Sequence, residues 1–126
     1  MRDDDSFEAW VRTTLAKHGD FTALVVLTAI GDQAVRPLCS TYFHIIGDEI
    51  TWGEIVKMLE SSGQTWQGAA FFATKGVRGG PIDNATARHR LRELEGRIIA
   101  DRMTLNDGEF FDPLGRRIRI DPAPLC

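Results

Sequence analysis

Two sets of basic side chains carry the clearest chemistry in this 126-residue chain. Arg88, His89 and Arg92 lie in A-R-H-R-L-R-E-L-E, a stretch with helical spacing, and Arg116, Arg117 and Arg119 lie in R-R-I-R-I. Guanidinium groups are planar, permanently charged donors that match phosphate oxygens and base edges. These side chains are therefore candidates for DNA contact: the first set for the major groove or nearby phosphates, the second for the flanking backbone or minor groove. The plainer alternative is a solvated face on which the arginines pair with Glu93, Glu95 and Asp101.

A second candidate is the loop K-G-V-R-G-G-P over Lys75–Pro81. Successive backbone N–H groups of a glycine-rich loop can cradle an anion, so Lys75, Arg78, Gly79 and Gly80 form a candidate anion site beside the start of the next helix. The loop matches neither of the familiar phosphate-binding glycine patterns, and a simple connector is the favoured alternative.

Catalytic chemistry finds no support. The sequence has no HExxH, CxxC or GxSxG, and its three histidines, His18, His44 and His89, are scattered. Cys39 and His44 are five residues apart, and on a helix they would not face each other as a nucleophile pair. His44 sits in an apolar stretch and reads as a satisfied core histidine. No catalytic residue, cofactor or metal site is expected.

Composition bounds the rest. The length fits one domain over residues 1–126, and 43% hydrophobic with 26% charged residues is ordinary for a globular fold. The longest apolar run, Ala23–Ile30, is broken by Thr28 and falls far below the roughly 18 residues of a membrane span. The acidic start M-R-D-D-D is unlike a signal peptide. Two cysteines, one at the last position, give no disulfide framework, so a cytoplasmic protein with no membrane partner is expected. Net charge is −3, unevenly spread: residues 1–74 hold five basic and ten acidic side chains, and residues 75–126 hold ten basic and eight acidic. Local sign governs attraction to phosphate, so the second half keeps nucleic acid in play.

The elements that must position these residues follow from local signals. Residues 5–17 read as a helix capped by Asp5 or Ser6, with Phe7, Trp10, Val11 and Leu15 on one face. Residues 21–30 suit a buried strand or a short buried helix, and the frame of Asp20 and Gly31 favours the helix. Residues 36–46 keep a 3.6-residue apolar period after Pro37, which predicts a helix, although their β-branched and aromatic content also fits a strand. Thr51 and Glu54 form a capping box for a helix over 52–61, with Ile50 and Ile55 available as a hydrophobic staple. Residues 65–74 read as helix or strand. A helix begins at Asn84, and Gly96 is expected to end it and release 97–105 as a strand. Asp112-Pro113-Leu114-Gly115 has the composition of a type I turn, with Ile118 and Ile120 alternating against Arg117 and Arg119 beyond it.

Helix, short strand at 49–50, capped helix, basic helix and an arginine-rich returning strand together resemble the winged helix-turn-helix DNA-binding superfamily. The resemblance covers about two-thirds of the chain and departs from the family at 62–83, where about twenty residues replace a tight turn. It implies an α+β fold, mostly helical over its N-terminal two-thirds with a C-terminal β-hairpin, and a small transcriptional regulator bound to DNA. A protein-interaction module of inhibitor, immunity or adaptor type is the alternative, supported by the acidic first half, and a small-anion binder is another. Both leave room for a homodimer.

Overall fold

The computed structural model describes residues 6–31 and 35–120. Its elements are α1 (Phe7–His18), β1 (Phe21–Ile30), β2 (Val35–Ile45), α2 (Trp52–Glu60), β3 (Gly68–Thr74), α3 (Asn84–Ala100), a 3-10 helix (Arg102–Asp107) and β4 (Glu109–Phe111). The strands make one four-stranded sheet in the order β2-β1-β3-β4, with every neighbouring pair antiparallel. Helices α1 and α2 pack on one face of the sheet and α3 on the other. This sheet corrects the expectation of a mostly helical, winged-helix-like domain ending in a hairpin.

The correction turns on β1. Phe21, Ala23, Val25 and Leu27 point into the core beneath α1 and α2, while Leu24 and Val26 point into the core beneath α3. A strand buried on both faces needs apolar residues at every position, so it reads as an unbroken run, and a buried helix reads the same way. The two polar exceptions are both bonded. Thr28 Oγ1 donates to Gly68 O (3.2 Å), and Thr22 Oγ1 accepts the Ile82 N–H (3.0 Å).

The expected helix over 36–46 is instead the edge strand β2, Val35–Ile45. Cys39, Thr41, Phe43 and Ile45 share the face of β1's Leu27, Val25, Ala23 and Phe21, their partners in the register. Pro37 lacks an N–H and lies at the bulge between Leu27 and Thr28, at a sheet edge where its missing donor costs least. Within 65–74, Gly68–Thr74 resolves as β3, which pairs with β1 from Thr22↔Thr74 to Thr28↔Gly68. Gly68 is needed there, because a Cβ would stand 2.5 Å from the Phe110 ring and 2.8 Å from Thr28 Oγ1.

Gly96 does not end the third helix, which runs on to Ala100. Ala87, Leu91, Leu94 and Ile98 form one buried stripe. Burying Ile98 contributes roughly 1.5–3 kcal/mol, more than the roughly 1 kcal/mol that a mid-helix glycine costs. Asp101 then closes α3 and caps the 3-10 helix by accepting the Met103 N–H (3.0 Å), so 97–105 holds no strand.

Local signals held where interactions are short-range. Ser6 caps α1, accepting from Ala9 N (3.0 Å). Thr51 Oγ1 accepts the Glu54 N–H (3.3 Å), which is the expected cap, while Glu54 Oε1 takes the Thr51 hydroxyl (3.2 Å) rather than the backbone N–H of the expected capping box. The turn at 112–115 closes through Gly115 N to Asp112 O (2.9 Å). What returns after it is a single bridge, Phe111↔Arg117, rather than a long strand. Asp3–Asp5 and the stop at 121–124 lie outside the described residues. No helix among them is long and apolar enough to cross a membrane.

Candidate functional site

The buried stripe of α3 turns Arg88, His89 and Arg92 outward, and all three are exposed. His89 Nε2 lies 3.5 Å from Glu93 Oε1, one helical turn away. Arg90 takes a different part: half-buried, it donates to Thr74 Oγ1 and to Lys75 O and ties α3 to the end of β3. The second arginine set sits elsewhere. Arg116 Nε bonds Asp112 Oδ2 (2.7 Å), and Arg117 Nη1 bonds Glu109 Oε2 (2.6 Å). The Arg117 guanidinium also lies 5.5 Å from the centre of the Phe111 ring. Phe111 belongs to the core under α1 and α2, whereas Ile118 packs into the core under α3. The arginines of α3 and Arg117 are therefore on opposite sides of the sheet. Arg119 is exposed and follows the alternation of Arg117.

The glycine-rich loop closes on itself. Gly76 N bonds Gly80 O and Gly79 N bonds Gly76 O, both at 2.9 Å, so two of the amides that could cradle an anion are used internally. Gly79 and Gly80 adopt φ of +87° and +77°, which only glycine takes readily. Lys75 Nζ points back to His18 Nδ1 (3.3 Å), and Arg78 is exposed. The adjacent N-terminus of α3 is filled by the protein's own carboxylate, since Asp83 Oδ1 accepts the Thr86 N–H at 2.7 Å. That N–H is the main reason the Asp83 carboxyl is held below its ordinary value of 3.8.

A further feature, which sequence reasoning missed, is the outer edge of β2, the terminal strand of the sheet among the described residues. This strand is eleven residues long and terminal in the sheet. On one side of it lies a groove of about 540 Å³ between β2 and α2, lined by Cys39, Phe43, Met58 and Leu59 with Ser61 and Gln64 at its rim. On the other side α3 reaches over the strand, where Ser40 Oγ donates to Glu95 Oε2 (2.8 Å) and His44 Nε2 lies 3.4 Å from Asn84 Oδ1.

His44 is an exposed residue held by hydrogen bonds, not a core histidine. Thr22 Oγ1, which accepts from Ile82 N, lies 2.9 Å from His44 Nδ1, and His44 Nε2 lies 3.4 Å from Asn84 Oδ1, so the ring is held at both nitrogens. Thr22 is completely buried, so this chain fixes a ring and presents no nucleophile. Cys39 and His44 point to opposite faces of β2 and do not pair. Among the described residues no three His, Cys, Asp or Glu side chains gather as a metal site would require. Comparison with protein-family models, with curated proteins and with solved structures finds no significant match.

Proposed function

We propose that this protein is a protein-interaction module that receives an extended segment by strand addition along the outer edge of β2. The observation that carries the reading is the character of that edge. Natural sheets guard long edges with charges, proline, bulges or short strands, because unpaired N–H and C=O groups recruit other chains. In β2 the guards, Arg36, Pro37 and the bulge, stand only at the N-terminal end. Leu38–Ile46 contains no lysine, arginine, aspartate or glutamate. An added strand would gain main-chain hydrogen bonds along this span, and its alternate side chains would enter the groove at Cys39, Phe43 and Met58. DNA binding through Arg88, His89 and Arg92 with Arg116, Arg117 and Arg119 has less support, since the two sets diverge and Arg116 and Arg117 are engaged with carboxylates.

A displayed random-peptide library panned against dilute protein tests this. Extended peptides are expected whose binding shifts the amide resonances of Cys39–Ile45 and is lost in Thr41→Lys. The reading fails if no peptide maps to β2. It gives way to the nucleic-acid one if mixed duplex fragments bind at micromolar protein and Arg88→Ala with Arg92→Ala abolishes that binding.

A further inference from the structure

We infer that the strand added to β2 is β2 of a second copy of this chain, related by a two-fold axis through Thr41; the inference rests on the strand-addition reading above. A two-fold axis perpendicular to the sheet pairs β2 with itself antiparallel and keeps both α3 helices on one face. Side chains directly opposed across such a pair share a face, so a residue on the axis must face itself. With Thr41 on the axis, Cys39 faces Phe43 of the second copy and Ser40 faces Tyr42, pairs of matched polarity, and the two Thr41 side chains meet as a favourable cross-strand pair.

The charges on α3 select this register. Helix α3 runs antiparallel to β2, with Asn84 beside His44 and Glu95 beside Ser40. The two spans agree in length, roughly 13 Å of strand against roughly 16 Å of helix. The midpoint between Arg88 and Glu95 on α3 is therefore level with Thr41. These two residues are two helical turns apart on the flank that faces β2, and Arg88 enters none of the salt bridges among the described residues. The two-fold axis sets each Arg88 opposite Glu95 of the second copy, twice over. Helices lying over β1 and β2 come within roughly 10–14 Å of their copies, given the strand spacing, a gap that arginine and glutamate side chains bridge. Arg92, turned further to solvent, falls near the axis and meets its own copy, an unfavourable contact that marks this register from others.

Sedimentation equilibrium of the full chain is expected to show a dimer. Thr41→Lys, which places like charges face to face, should weaken it at least about ten-fold. Arg88→Glu should weaken it, the combination R88E with E95R should restore it, and Arg92→Ala should tighten it. In a Cys39→Ser, Cys126→Ser background, Thr41→Cys should form an intermolecular disulfide on mild oxidation, because directly opposed residues lie within disulfide reach. Ser40→Cys, one position off the axis, should not. A gain of cross-link at Thr41→Cys cannot come from misfolding, so it stands whatever Thr41→Lys does to stability. A monomer at all concentrations whose β2 still binds peptides overturns this inference and leaves the strand-addition reading intact. A monomer that binds no peptide overturns both. A dimer that neither cross-links at Thr41→Cys nor responds to Thr41→Lys uses another surface and also overturns it.

Discussion

The Trp52 backbone N–H donates to Glu8 Oε2 at 2.8 Å, so a carboxylate in the first turn of α1 caps the first turn of α2. The sequence places Glu8 where it could serve its own helix. The fold gives it instead to a helix that starts more than forty residues later. Thr51 satisfies the Glu54 N–H of the same terminus, so two caps from different parts of the chain share one set of orphan donors.

Glu8→Gln keeps the shape and removes the charge, while Glu8→Ala also removes the acceptor. Glu8→Ala is expected to destabilise by roughly 1.5–3 kcal/mol, the range for a hydrogen bond to a charged group, and Thr51→Ala by about 1 kcal/mol. Urea denaturation of both single variants and the double variant checks this. Strict additivity would show that the two caps act independently, against the expectation for donors of one helix end.

Gly96 lies in the middle of α3 with open space where a Cβ would go. Gly96→Ala should therefore stabilise the protein by up to about 1 kcal/mol, through helix propensity alone. Thermal unfolding with a lower midpoint than the parent would show that α3 does not continue through this position.

Gly68 should behave oppositely. A Cβ there meets the Phe110 ring at 2.5 Å and Thr28 Oγ1 at 2.8 Å, neither of which is the loose end of a flexible chain. Gly68→Ala is expected to destabilise by roughly 1–3 kcal/mol, the usual cost of overpacking. An unchanged denaturation midpoint would mean that β3 and β4 are not held this closely.

Asp83 gives a pH test whose sign is fixed by the direction of its shift. Its folded carboxyl is more acidic than the ordinary value of 3.8, so its charge contributes stability above that value. The contribution is lost as pH falls through the lower, folded value. Asp83→Asn retains a capping oxygen but has no charge to titrate. The two proteins should differ in denaturation midpoint at neutral pH and converge in strong acid. Parallel curves down to that region would place the acid sensitivity elsewhere.

What the residues settle by themselves is local. The caps at Ser6 and Thr51 and the turn at Asp112–Gly115 were legible because each joins groups three positions apart, whose geometry the backbone alone determines. The extent of α3 was half legible: the period of Ala87, Leu91, Leu94 and Ile98 was present in the sequence, but Gly96 argued against it until the core beneath showed what Ile98 buries. For β1 and β2 the tertiary structure decided. A run such as Phe21–Ile30 is equally apolar on every face, so only paired neighbours on both sides make it a strand. In β2 the apolar residues fit a period of 3.6 as well as one of 2, and what breaks the tie is the backbone partner that β1 supplies. The candidate site was illegible for the same reason, since an open strand edge exists only once the order of strands is known, and that order is a long-range property of the chain.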